Sequence, residues 1–146
     1  MLKALTHNEK ETFQRGFEFA GKLKINPRRA IVIFLTGELG CGKTVFTRGF
    51  LRFFGVRRVL SPTFVLVKNY KIKKESLNIY HLDAYRLNHK AKADISWTDI
   101  ISCPRCVVLV EWPSRLGISD CDWEVFIEHG KKENERLISL KKGKNE

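Results

Sequence analysis

The chain has 146 residues, 43% of them hydrophobic, and carries 27 Lys and Arg against 16 Asp and Glu, a formal charge of +11. A chain of this length buries roughly 68% of the surface its unfolded form exposes, enough for one core, and its longest apolar run, Ala30 to Leu35, is too short for the ~20 residues of a membrane span. Disordered and membrane-spanning classes are therefore excluded, and the cationic excess points to polyanionic company such as nucleotides, RNA or an acidic protein surface.

In chain order, Thr6 to about Leu23 reads as an amphipathic helix, with Phe13, Gly16, Phe17, Ala20 and Leu23 on one stripe. Thr6 with Glu9 has the form of a capping box, and Asn8 with Glu11 offers a second start. A turn at Asn26-Pro27 leads into Ala30-Ile-Val-Ile-Phe-Leu35, the continuous apolar run of a strand covered on both faces. After a glycine-rich loop, a helix is expected from Lys43 to about Phe54, presenting Phe46, Phe50, Phe53 and Phe54 and stopping at Gly55. Phe64 to Lys71 and Leu77 to Leu82 read as an antiparallel hairpin about Lys73-Lys74-Glu75-Ser76. A short helix around Ile95 to Ile101 precedes a second apolar strand, Cys106 to Val110. Trp123 to Glu128 and Arg136 to Leu140 form a last hairpin, followed by a frayed tail over 141–146. These elements predict one α/β domain spanning 1–146: a P-loop NTPase-like mixed sheet, parallel at its centre, with flanking helices and antiparallel hairpins.

The N-terminus lacks the apolar region of a secretory leader, so a cytoplasmic protein is expected and its four cysteines read as reduced thiols. Cys103-Pro104-Arg105-Cys106 is a lone C-x-x-C without two further zinc ligands at standard spacing. His81 reads as a strand residue with a satisfied ring.

Gly37-Glu38-Leu39-Gly40-Cys41-Gly42-Lys43-Thr44 matches G-x-x-x-x-G-K-[ST] between an apolar strand and an amphipathic helix. The glycines let successive backbone N–H groups face a phosphate, and the helix adds the positive end of its dipole. Lys43 is placed to reach the β- and γ-phosphates, and the Thr44 hydroxyl to ligate Mg²⁺. Such a site needs an acid at the end of a neighbouring strand. Glu111, after Val107 to Val110, and Asp83, after Ile79 to Leu82, both qualify. Cys41, beside Lys43 at a helix start, is expected to favour its thiolate and to be alkylated readily unless MgATP protects it.

The ordered blocks GELGCGKT, SPTFVLVKNY, IYHLDAYRL and VVLVEWPSR resemble the bacterial TsaE (YjeE) family over about Thr6 to Leu140. That resemblance implies an ATPase of tRNA threonylcarbamoyladenosine (t6A) biosynthesis, with ATP and Mg²⁺ as cofactors. It implies that Lys43 and Thr44 hold the phosphates and Mg²⁺, and that Glu111 is the acidic Mg²⁺ partner. Asp83 and Thr63 then belong to the catalytic rim, with Asp83 also a candidate metal ligand. Glu9, Thr12 and Arg136 line the base or phosphates. Trp112 matches the family's Glu-Trp pair and reads equally well as a core aromatic. The implied partners are the t6A transferase pair TsaD–TsaB, with tRNA a further candidate for the basic surface. Glu38 and Cys41 stand where the family usually has Asp and Ala, and His89 to Ser96 lacks the family's glutamate-rich helix. Arg86 and Arg115 are candidate arginine fingers. Two other readings are a small-molecule kinase, which needs a second substrate pocket, and a basic RNA-binding module with ATP as a structural ligand. No N-K-x-D base-reading motif supports a GTPase.

Overall fold

Asn8 fixes where the first helix, α1 (Glu9–Lys22), begins: its Oδ1 accepts the Glu11 N–H at 2.8 Å, and Glu11 reaches back to the His7 backbone N–H at 2.6 Å. The start is thus the Asn8–Glu11 pair and not Thr6, because Thr6 lies in a strand, β1 (Leu2–Thr6), that the sequence does not announce. Beside His7, the Glu11 carboxyl is held below its ordinary range. The computed structural model describes residues 2–59, 67–85 and 96–145. It resolves them into two units.

The first unit comprises Met1–Lys24, Thr36–Ser61 and Val125–Lys142. It holds β1, α1, helix α2 (Lys43–Phe53), strand β7 (Arg136–Lys142) and most of strand β6 (Trp123–His129). Here β7 lies between β1 and β6, with β1 antiparallel to it from Leu2↔Leu140 to Thr6↔Arg136. The chain turns from β6 to β7 through Gly130 N–H donating to the Glu135 carbonyl at 2.8 Å.

Helices α1 and α2 pack through glycines. A Cβ at Gly16 would overlap the Phe46 carbonyl, and one at Gly49 the Phe13 carbonyl, so each helix brings its backbone against the other. That approach rotates the buried stripe of α1 to Thr12, Gly16, Phe19 and Ala20, leaving Phe13 and Phe17 half-buried. On α2 it buries Phe46, Thr47, Gly49, Phe50 and Leu51, and leaves Phe53 42% exposed. Helix α2 stops as expected. Gly55 N–H bonds the Arg52 carbonyl and Val56 N–H bonds the Leu51 carbonyl, the paired closure that a left-handed glycine permits.

The second unit comprises Ile25–Leu35, Pro62–Glu124 and Gly143–Glu146. Strand β2 (Ile31–Thr36), strand β5 (Cys106–Glu111), strand β4 (Leu77–Asp83) and strand β3 (Val67–Ile72) lie in the order β2-β5-β4-β3. β2 and β4 both run parallel to β5, and β3 closes the row antiparallel to β4. All of β5 and the first five residues of β2 are buried, which explains their unbroken apolar sequence. A 3₁₀ turn, Lys73–Glu75, makes the β3–β4 hairpin, and a short helix α3 (Trp97–Ile101) precedes β5. The expected starts of the β3 hairpin strand at Phe64 and of α3 at Ile95 lie outside the described residues, as do Thr63, Arg86 and most of His89 to Ser96.

Two features of this unit differ from expectation. The segment read as a frayed tail continues β7 to Lys142, then Gly143 N–H donates to the Asp122 carbonyl (2.7 Å) and Asn145 N–H to the Cys121 carbonyl (3.1 Å). Its anchor is Asp122. The carboxylate takes both Arg29 Nη groups at 3.0 and 2.9 Å and the Val32 N–H at 2.8 Å, and Arg29 also donates to the Asn145 carbonyl. The hydrogen bond with Asp122 raises the Arg29 pKa above its ordinary value. The cysteines also differ in placement: Cys103 and Cys106 stand side by side, while Cys41 and Cys121 are separate, free and buried. The Pro104-Arg105 turn, with Arg105 left-handed, folds the chain so that the two Cα atoms stand 5.7 Å apart.

Candidate functional site

The glycine-rich loop lies in the first unit. Gly42 is the N-cap of α2 at φ 107°, a conformation that opens the helix without a side chain in the way. No side chain caps α2 and no acid sits in its first turn, in contrast to α1 with Asn8, Glu9 and Glu11. The first backbone N–H groups of a helix have no acceptor within it. At α2 these N–H groups and the positive end of the dipole therefore meet neither an N-cap side chain nor a first-turn acid.

Lys43, the first residue of α2, is only 6% exposed, and its Nζ donates to the carbonyls of Gly37 and, at 3.0 Å, Glu38. Its ammonium is held over the loop. Thr44, the next residue, is exposed. Leu39 and Gly40 are exposed at the loop's tip.

Two further sequence candidates, Thr12 and Arg136, meet this region. Thr12 is buried beneath it: its hydroxyl pairs with Thr6 Oγ1 at 2.8 Å, and its methyl lies 3.6 Å from where a Cβ on Gly42 would stand. Arg136 donates from Nε to the Cys41 carbonyl at 3.0 Å and from Nη1 to the carbonyls of Glu133 and Glu135, both at 2.8 Å. It ties the β6–β7 turn to the loop backbone. Glu9, in the first turn of α1, is exposed.

Cys41 requires a correction. It is 1% exposed, and burial pushes its thiol pKa up, outweighing the nearby Lys43 ammonium that pulls the other way. A helix N-terminus activates a thiol only where solvent also supports the thiolate. Cys41 is therefore expected to react more slowly than an ordinary exposed cysteine at pH 8, with the rate still rising above pH 9. Intact-mass kinetics with iodoacetamide across pH 7–10 measure this.

The acids lie in the second unit. Asp83 and Glu111 are register partners at the C-terminal ends of the parallel strands β4 and β5, and the Ala84 N–H bonds the Glu111 carbonyl at 3.0 Å. Asp83 Oδ1 accepts the Tyr85 N–H at 3.0 Å. Glu111 is 5% exposed, and its Oε2 accepts from His81 Nε2 at 2.7 Å. Trp112 takes a left-handed backbone at φ 58° and stands half-buried, its ring 5.0 Å from that of Tyr85. The Arg115 guanidinium lies 5.6 Å from the Tyr85 ring centroid. The His81–Glu111 bond was not legible as a pair. Its signal was a histidine two residues before a strand-end acid, on a strand adjacent to the one ending in Glu111.

The sequence profile described as threonylcarbamoyl adenosine biosynthesis protein TsaE matches residues 6–138. The chain belongs to the TsaE family. Curated relatives named tRNA threonylcarbamoyladenosine biosynthesis protein TsaE include one from Haemophilus influenzae, 36% identical over 94 residues, covering 64% of this chain and 58% of the relative. Another, from Bacillus subtilis, is 39% identical over 82 residues, covering 56% and 49%. One from Synechocystis is 36% identical over 110 residues, covering 72% and 66%. The matched segments thus span about half to two thirds of those relatives. Among solved structures, YdiB of Bacillus subtilis superposes with a TM-score of 0.77 at 27% identity, over 99% of this chain and 86% of that one. The mixed α/β sheet with parallel strands and flanking helices is P-loop NTPase-like, as expected. No described helix is long and apolar enough to cross a membrane.

Proposed function

We propose that this chain binds and hydrolyses MgATP in support of t6A modification of tRNA, acting with a TsaD–TsaB-like transferase complex. The observation that carries the ATP reading is the uncapped, acid-free N-terminus of α2 behind a left-handed Gly42, with the Lys43 ammonium held against the loop. Backbone donors, dipole and cation of one sign converge there, which is what a polyphosphate tail requires. The pathway assignment follows from the family and the names of its relatives.

The donor set also suits Mg²⁺. Among the described residues no three His, Cys, Asp or Glu side chains are arranged to hold a metal ion by themselves, but Mg²⁺ asks only for one or two carboxylates completed by waters and substrate phosphates. By the family resemblance, Thr44, Glu111 and Asp83 would be its ligands, and the ion would neutralise charge on the β- and γ-phosphate oxygens. Lys43 and the α2 N–H groups stabilise the charge that builds on the γ-phosphoryl oxygens as water attacks in line. Asp83 orients that water and accepts its proton. The family resemblance adds Thr63 as a catalytic residue, and Glu9, Thr12, Trp112 and Arg136 as residues that would bind the nucleotide. tRNA is a second partner class, matched by the charge of +11 and the exposed Lys71, Lys73 and Lys74 of the β3–β4 hairpin.

Calorimetry with ATP and Mg²⁺, followed by phosphate release with and without partner proteins, tests the reading. Binding and slow release that partners accelerate are expected. Transfer of phosphate to an added acceptor would instead indicate a kinase, and no heat on folded protein would leave the RNA-binding module.

A further inference from the structure

His81 is a buried histidine that the scheme above does not use. It sits on β4, 1% exposed, with Leu109 of β5 as its register partner; Asp83 and Glu111 form the pair two residues on. Side chains two apart on a strand share a face, so His81, Asp83, Leu109 and Glu111 form one block on one side of these two strands. Within it, Asp83 and Glu111 end adjacent strands as register partners. Glu111 is restrained from behind. Its Oε2 accepts the His81 Nε2 proton at 2.7 Å, both side chains being at least nine-tenths buried. Among the described residues His81 Nδ1 has no hydrogen-bond partner. In a hydrogen bond to a carboxylate oxygen the ring nitrogen is the donor, so Nε2 donates to Oε2.

We propose that His81 is the positioning residue for Glu111, fixing its carboxylate plane through Oε2 so that Oε1 is the oxygen presented to a divalent cation. The inference rests on the reading of Glu111 as the acidic Mg²⁺ partner. A ligand carboxylate left to rotate must be ordered when the metal binds, and loss of such a supporting hydrogen bond weakens metal affinity by 10- to 100-fold in comparable sites. Glutamine at position 81 can place an amide N–H near the Nε2 position, whereas leucine fills similar space without a donor.

The experiment uses the full chain with a non-hydrolysable ATP analogue and Mn²⁺ as a spectroscopic stand-in. Electron paramagnetic resonance gives Mn²⁺ affinity, and calorimetry in EDTA gives nucleotide affinity without metal. His81→Leu is expected to weaken Mn²⁺ binding about 10-fold or more while metal-free nucleotide affinity stays within about twofold, and His81→Gln to recover most of the loss. A folded His81→Leu that keeps wild-type Mn²⁺ affinity, while Glu111→Gln loses it, overturns the proposal and leaves the ATPase reading standing. Wild-type protein that binds no nucleotide overturns both. Should His81→Leu fail to fold, ¹⁵N spectra of the wild-type histidine rings decide: an Nε2-protonated His81 supports the pairing, and an Nδ1-protonated one overturns it.

Discussion

Gly49→Ala is expected to destabilise the protein by about 3 kcal/mol, the upper part of the range for overpacking a close contact. A Cβ there would overlap the carbonyl of Phe13, a backbone atom that cannot rotate aside as a side chain can. Relief requires α1 and α2 to separate, and separation loosens the Phe19–Phe46 and Phe19–Phe50 contacts, whose ring centroids lie 6.1 and 6.0 Å apart. Alanine's better helix propensity returns only about 1 kcal/mol. Gly16→Ala meets the Phe46 carbonyl and behaves alike. For a chain of this size the loss corresponds to a fall in Tm of roughly 9 °C by calorimetry or circular dichroism. Gly21→Ala is the control. Its Cβ would meet the ring of Phe53, a side chain 42% exposed rather than backbone, so its change stays within about 1 kcal/mol. Equal stability of Gly49→Ala and Gly21→Ala would refute this account of the helix interface.

That interface also shows where sequence periodicity stops being informative. A helical stripe records which residues are apolar, but two glycines that bring backbones together move the line of contact toward them. Phe13 and Phe17 were on the expected stripe of α1 yet lie half-buried, while Phe19 is in the core. The parallel strands were plain for the opposite reason. β2 and β5 are buried along nearly their whole length, so up to their last residues, Thr36 and Glu111, their sequences have no polar positions to shift the register. β1 carried no such signal, since it is short and mostly exposed and owes its existence to β7. Sequence separation hid the Arg29–Asp122 pair, 93 residues apart.

The candidate site was legible in parts, according to how local its chemistry is. The glycine-rich loop is a contiguous motif because its donors are backbone groups, and the geometry of Gly42 and Lys43 follows from neighbours in the chain. Asp83 and Glu111 were visible as strand-end acids. Their register pairing depends on β4 and β5 running parallel, which no single residue states. Cys41 departs from its sequence expectation because its neighbours in sequence are polar and cationic while its surroundings in space are dry.

Lys43 is the residue whose loss should cost most. Lys43→Met is expected to lower phosphate release by about 10³-fold, roughly 4 kcal/mol of transition-state stabilisation, in line with removal of a preorganised charge-stabilising donor in a water-poor site. The wild-type ammonium is buried and bonded to the carbonyls of Gly37 and Glu38, so it needs little reordering before it meets an anion. Methionine keeps the apolar stem and removes a charge whose desolvation the loop carbonyls only partly offset. The fold should therefore survive, with Tm near that of the wild type. Lys43→Arg should fail as well. A planar guanidinium needs a wider space than a point-like ammonium, and here the loop carbonyls already enclose Nζ. Binding heats and phosphate release, measured beside unfolding curves, separate the outcomes. Lys43→Met with wild-type nucleotide affinity and turnover would mean that the converging positive potential at the start of α2 serves some other anion.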